Sequence, residues 1–439
     1  MWQKIKRVLV EGKLTEQIYQ KIKTVIKSVF KSIFDGSYRE RLFRKIDTYI
    51  GNAARTKLAE KTEIESNKIL FVTTRGTYNC NPRAIANEII RQKLPWKLVW
   101  AARTDCDLEQ FPEELEVVYR GSYEFYKAAA SAKVWIDNSI NMSYLMPYKK
   151  TNQVLFETWH GSIGLKRFEN NSDKVWLNHA KSCGARTDYI ISDSDFEDGL
   201  FRNSFWRETP ILKYGHARND ILLNDNAQIK EAMKKEILKR VGERMEVEEA
   251  DCLKFALYAP TFRDDRKLDY YKLNYDEVRK ALETKFGGTW IILVRQHFEI
   301  KRKMKKKKID YPKHVIDVSD FPDIQDIMVI ADIGITDYSS WICDYVLTRK
   351  PGFIFAVDLA SYYSERGFYY PLESTPFPIA KTNLKLIDNI LNFDETKYVQ
   401  KCNEFIESKG CVEDGNASER IVEKLKTIIR EPDKCSNSM

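Results

Sequence analysis

The chemistry-bearing residues of this chain are histidines, arginines and hydroxyls placed where apolar runs stop. His160 closes the run Val154-Leu-Phe-Glu-Thr-Trp-His160 and is followed by Gly161, so it sits at the C-terminal end of a strand as the chain turns. Imidazole is the side chain whose ordinary pKa suits proton transfer near neutral pH. Lys166 and Arg167 add positive charge just downstream. A compact polar turn, Tyr214-Gly-His-Ala-Arg-Asn-Asp220, offers Arg218 to a phosphate and reads His216 as a satisfied loop histidine. Arg295-Gln296-His297 ends another apolar run, with an arginine and a histidine able to hold phosphate oxygens. In Ile333-Gly-Ile-Thr-Asp-Tyr-Ser-Ser-Trp-Ile-Cys-Asp344, a strand leads to Ser339 and Ser340 at a helix start. Free first-turn amides and the positive end of the helix dipole suit an anion there. Asp344, one turn deeper, is placed to accept hydrogen bonds from hydroxyls. A phosphate seat beside a hydroxyl acceptor and a base suits a nucleotide or a phosphorylated polyol. Asp105-Cys-Asp107 is a spaced carboxylate pair of a kind that is common without a metal.

These residues need rigid elements behind them. Lys68–Thr74, Lys97–Ala101, Glu116–Tyr119, Val134–Asp137, the strand before His160 and Asp188–Asp193 read as strands, with helices after Pro82 and over Tyr123–Ala132. Strands alternating with helices argue for a parallel sheet with a crevice at the strands' C-terminal ends. Charged helix formers over 225–251 mark a connector. A second alternating unit follows, with strands at Phe255–Tyr258, Trp290–Val294, Val315–Val318, Ile330–Ile335 and Gly352–Phe355 and helices over 276–286 and 323–331. The expected organisation is an N-terminal α/β unit over 66–245, a second over 250–395 and a helical tail over 396–432.

Residues 1–50 differ in character. Ile18, Ile22, Val25, Ile26, Val29, Phe30 and Ile33 follow one helical face, with Lys21, Lys23, Lys27 and Lys31 largely off it. Basic amphipathic helices of this pattern, here over residues 1–34, suit an acidic membrane surface. The 439-residue chain carries a net charge of +8, concentrated in its first third and in the run Lys301–Lys308, which favours anionic partners. Aromatic-basic patterns of common RNA modules are absent, and nucleic acid is not expected. Eight cysteines include no C-x-x-C pair and no zinc spacing, in keeping with reduced thiols in the cytosol. No apolar run approaches the roughly 20 residues of a membrane span.

Taken in order, Thr158-Trp-His-Gly-Ser-Ile-Gly-Leu-Lys166, Tyr214–Asp220, Leu257-Tyr-Ala-Pro-Thr-Phe-Arg-Asp264, Arg295-Gln-His297, Thr336–Asp344 and Arg366-Gly-Phe-Tyr369 resemble the CDP-glycerol glycerophosphotransferases of bacterial teichoic acid and capsule synthesis. The likeness spans about residues 66 to 400. The chain departs from the family pattern at Ser162-Ile163, where Thr-Pro is usual, and at Ala217 and Phe298, where proline is frequent. The resemblance implies an α/β, GT-B-like fold of two Rossmann-like domains facing a cleft, in a peripheral enzyme of the cytoplasmic membrane face. It implies transfer of a polyol phosphate from CDP-glycerol or CDP-ribitol to a hydroxyl of a lipid-linked or polyol-phosphate acceptor, with release of CMP. By position, His160 and His297 are then the catalytic candidates, His160 as general base. The loop His160, Gly161, Ser162, Ile163 and Gly164, with Arg218, Pro260, Thr261, Arg295, Gln296, His297, Ser339, Ser340 and Asp344, would bind the CDP-polyol. With so many cationic groups, neither a metal nor a cofactor is expected. The alternatives are a nucleotide-sugar glycosyltransferase of the same fold and a non-catalytic binding protein.

Overall fold

Apolar runs such as Ile69-Leu-Phe-Val72, with every side chain buried, can only sit in a sheet covered on both faces, which is the situation of parallel strands. The computed structural model describes residues 51–164, 167–168, 173–224, 226–245, 253–261, 273–296, 310–359, 362 and 367–429, and contains two such sheets. The basic segment 1–50, His297 and the lysine run 301–308 lie outside the described residues. The first sheet comprises β1 (Glu65–Val72), β2 (Lys97–Ala102), β3 (Leu115–Tyr119), β4 (Ala132–Asp137), β5 (Val154–Glu157), β6 (Tyr189–Ser192) and β7 (Ile211–Lys213). Its order is β3-β2-β1-β4-β5-β6-β7, every pair parallel. The second comprises β8 (Leu253–Tyr258), β9 (Thr289–Val294), β10 (Val315–Asp317), β11 (Ile333–Thr336), β12 (Gly352–Phe355) and β13 (Ile379–Ala380). Its order is β10-β9-β8-β11-β12-β13, also parallel throughout.

In both sheets the order reverses beside the first strand, between β1 and β4 and between β8 and β11. Loops leaving those strands diverge and open a crevice, the usual ligand position in such sheets. His160, Arg218, Pro260, Arg295 and Ser339 follow β5, β7, β8, β9 and β11 respectively.

Two stretches pack differently from their sequence reading. The helix Ala227–Gly242 looks like a solvated connector, because few of its side chains are apolar, yet its buried Ile237 and Val241 join the second core. The tail is not one body. Tyr398, Cys402 and Phe405 of the helix Glu395–Ser408 pack with the second core, whereas Ile421, Val422 and Leu425 of the helix Ala417–Ile428 return to the first, beside Ile85 and Ile89. Between them, the Val412 amide donates to the Asp193 carbonyl at 2.8 Å. The chain thus crosses twice between the sheets, and the second crossing closes the first core. Leu425→Ala is therefore expected to destabilise the protein by about 2–5 kcal/mol, the range for truncating a buried leucine. A urea unfolding curve checks this, and an unmoved midpoint would show that the returning helix contributes nothing to the first core.

Candidate functional site

The strands deliver two acidic residues to the crevice edge, and these shape the loop that carries His160. Asp137 ends β4 and Glu157 ends β5, both fully buried. Asp137 accepts from the amides of Ser139 (3.0 Å) and Met142 (2.6 Å) and from the Asn141 side chain (2.7 Å). Glu157 accepts from the amides of Ile140 and Trp159, both at 2.9 Å. Burial pushes both carboxyls above the ordinary range, Glu157 further because Asp137 lies beside it. Ile140 and Trp159 both have φ of +51°, a left-handed conformation that bulky residues adopt only when their surroundings hold them there. Sequence reading passed over both acids, although a lone carboxylate closing each of two apolar strands was the available signal.

The turn places His160 with its Nδ1 2.8 Å from the Asn138 carbonyl oxygen. A carbonyl can only accept, so Nδ1 carries the proton and Nε2 keeps its lone pair. The residue keeps exposed surface, yet protein crowds it, including the Trp159 ring at 4.7 Å. That crowding pushes the imidazole pKa down, to about 4; the Asn138 hydrogen bond opposes the drop, and the charges of Arg218 and His216 add to it. Water at the open ring edge works against the depression. Gly161 follows because a Cβ there would lie 2.8 Å from the Trp159 indole nitrogen.

The loop then leaves its own sheet. Ser162 hydrogen-bonds the buried Asp193, and the Ile163 side chain enters the second core while its carbonyl accepts from the Tyr370 hydroxyl. Arg167 donates through its amide and Nε to the carbonyls of Gly367 (3.3 Å) and Phe368 (3.2 Å). The likeness to the family's Arg-Gly-Phe-Tyr stretch thus marks the place where the His160 loop docks.

Several expected phosphate ligands have protein partners. Arg218 is 5% exposed and forms a two-pronged ion pair with Asp344, Nε to Oδ2 at 3.0 Å and Nη2 to Oδ1 at 2.9 Å. Nη2 also donates to the Gly161 carbonyl. Asp344, expected to take substrate hydroxyls, accepts from Arg218 and from Asn219 (3.2 Å). A guanidinium this deeply buried requires a carboxylate, and the pair joins the loop after β7 to the helix after β11. Arg295 is likewise a brace: its Nη1 donates to the carbonyls of Val318 (3.2 Å) and Phe321 (2.7 Å). Gln296 donates to the Tyr311 hydroxyl at 2.6 Å. Ser340 precedes only a short helix, Trp341–Tyr345, and its side chain makes no capping bond. The strand before it also begins later than its apolar run suggests, at Ile333, because Ile330 ends the helix Ile324–Ile330. Asp337 instead takes the amides of Tyr338 and Thr261, the latter at 2.8 Å, tying the Pro260-Thr261 turn to the strand end beside it. Ser339 and Ser340 stay half-buried. Asp105 is exposed and paired with Arg103.

Among the described residues, one group has metal-ligand spacing: Asp193, Glu197 and His216, all buried, with their ligand atoms within 4.8 Å of one another. Those atoms already serve one another. His216 Nε2 lies 2.9 Å from Glu197 Oε2 and its Nδ1 3.3 Å from Asn81 Nδ2, while Asp193 Oδ1 accepts from Ser194 at 2.7 Å. Burial pushes Asp193 up to about 7 and Glu197 to about 8 and pulls His216 down to about 4. This is a closed hydrogen-bonded network, with His216 a satisfied loop histidine.

Residues 53–427 match the family described as CDP-Glycerol:Poly(glycerophosphate) glycerophosphotransferase. The chain belongs to that family. It is 29% identical over 447 residues to the teichoic acid poly(glycerol phosphate) polymerase of Staphylococcus epidermidis, covering 95% of this chain and 59% of that protein. It is also 29% identical to the polymerase of the same description from Bacillus spizizenii, covering 81% of this chain and 91% of that one. The wall teichoic acid polymerase TagF, solved as a histidine variant soaked with CDPG, superposes with a TM-score of 0.72 at 28% identity, covering 88% of this chain and 97% of that structure. Within this fold Arg218 and Asp344 hold the two sheets together. Asp344→Ala should accordingly destabilise the protein by roughly 3–5 kcal/mol, because Arg218 is left buried and unpaired. Urea denaturation checks this. A change below about 0.5 kcal/mol would mean that solvent or another acid replaces the lost partner.

Proposed function

We propose that this chain transfers glycerol phosphate from CDP-glycerol to an acceptor hydroxyl, releasing CMP, in the synthesis of a teichoic acid polymer. The observation that carries the reading is His160, an exposed imidazole just after β5 whose Nδ1–H is fixed on a backbone carbonyl, leaving Nε2 without a hydrogen-bond partner among the described residues. Nε2 takes the proton of the acceptor hydroxyl as its oxygen attacks the phosphorus bonded to glycerol. The bond from that phosphorus to the bridging oxygen breaks, and CMP departs with the electron pair. Phosphoryl transfer of this kind depends on positioning and on charge neutralisation. Ser339 and Ser340, at the opening of the helix after β11, and the Pro260-Thr261 turn are the donor-side candidates on the second sheet, in a GT-B-like arrangement. The basic amphipathic pattern of residues 1–50 supports action at an acidic membrane surface, on the cytoplasmic face.

CMP release should be seen with CDP-glycerol and a polyol-phosphate acceptor, and His160→Ala should lose about 10²-fold or more in rate. Full turnover in that variant would remove His160 from the chemistry. Release with CDP-ribitol alone would change the polyol, and turnover only with a nucleotide sugar would change the reaction class. The acid limb gives an independent check. The base works only when neutral, and its folded pKa is held below the ordinary value of about 6.5, so kcat/KM should stay level down to about pH 6. A fall that begins near pH 7 would show an imidazole that its surroundings do not depress.

A further inference from the structure

Asn81 follows β1 at the start of the helix Cys80–Arg91, and its side chain is completely buried. Its amide nitrogen lies 2.9 Å from the Thr158 carbonyl, 3.2 Å from the Trp159 carbonyl and 3.3 Å from His216 Nδ1. Its amide oxygen accepts from the Arg218 backbone N–H at 3.0 Å. The protonation states close consistently: with His216 donating from Nε2 to Glu197, Nδ1 is an acceptor, and Asn81 supplies the donor. One side chain therefore joins three loops, those after β1, β5 and β7. Its two N–H donors and one acceptor are what a short carboxamide provides. Aspartate lacks the donors when ionised, alanine lacks all three, and glutamine is one methylene too long for the same cradle.

The target of this cradle is the left-handed residue Trp159. Glu157 holds its amide and Asn81 holds its carbonyl, so both peptide groups of Trp159 are gripped, the second being the peptide that leads into His160. The direction of the His160 ring follows from that peptide. We propose that Asn81 is a positioning residue for the transfer reaction, fixing the Trp159 turn so that His160 Nε2 points at the acceptor hydroxyl. This rests on the reading of His160 as the base.

The test is a double-mutant cycle on the full chain, measuring CMP release at saturating CDP-glycerol. Asn81→Ala is expected to lower kcat by about 10- to 100-fold, the effect of misplacing a catalytic group by a fraction of an ångström to an ångström. KM for CDP-glycerol should stay within about threefold, because Asn81 sits behind the loop and not in the crevice. In a His160→Ala background the same substitution should change kcat by less than about twofold, since the group it positions is gone. Asn81→Asp, nearly isosteric, should give the same pattern and serves where the alanine variant fails to fold. Wild-type kcat in a folded Asn81 variant, with His160→Ala crippled, overturns the inference and leaves the His160 reading standing. Equal losses in both backgrounds also overturn it, because Asn81 would then act independently of His160. A fully active His160→Ala variant overturns the underlying reading instead.

Discussion

Arg218 and Asp344 form the contact on which the rest of the site depends. Both are nearly inaccessible to water, and neither could stay charged at its position without the other. Arg218 leaves the end of the first sheet and Asp344 the first helix after β11 in the second. Their meeting brings the C-terminal edges of the two sheets face to face. From this one pair other contacts branch. Arg218 holds the Gly161 carbonyl, and Asn219 reaches both Asp344 and Glu413 of the returning tail. Loop, hinge and tail thus share one buried polar junction. Such a junction is costly when half-satisfied, which favours two sheets fully docked over intermediate separations.

Around this junction the protein separates acids that hold structure from the group proposed above to do chemistry. Asp137, Glu157, Asp193 and Glu197 are buried and raised in pKa, and each is ringed by amides or hydroxyls. They bend backbone and hold loops. His160, in contrast, has one ring nitrogen tied to a carbonyl and the other without a hydrogen-bond partner among the described residues. The left-handed turn at Trp159 links the two, since buried carboxyls and amides hold it and His160 follows directly from it.

This division explains what the sequence could and could not reveal. The strands were legible because both-face burial writes continuous apolar runs such as Ile69–Val72 and Val134–Ile136. The position of His160 was legible because a histidine and a glycine closing such a run fall at the crevice edge. The roles of Arg218, Arg295 and Asp344 were not. An arginine facing a phosphate and an arginine facing a buried carboxylate or carbonyls obey the same chemistry, and only the fold decides which partner is near. Helix capping failed similarly at Ser340. Its residue type suits a cap, but Ser340 already has helical backbone angles, and the Cys343 amide donates to its carbonyl and not to its hydroxyl. Ile237 and Val241 were hidden because two apolar residues in a charged helix give too weak a period to reveal a buried face.

The chain's departure from the usual family pattern after Trp159-His160-Gly161 is physically conservative. Thr-Pro is usual there, and this protein has Ser162-Ile163. Serine keeps the hydroxyl, which bonds the buried Asp193 and so anchors the loop in the network of Glu197 and His216. Isoleucine keeps an apolar side chain, which is fully buried in the second core, and a free carbonyl, which accepts from Tyr370. Proline would stiffen the same position through its fixed φ; here the rigidity comes from contacts on either side. The Ser162 hydrogen bond holds the loop to the first sheet, and Ile163 with Tyr370 holds it to the second. The His160 loop is thus gripped by both sheets, so any motion that parted them would displace His160 as well.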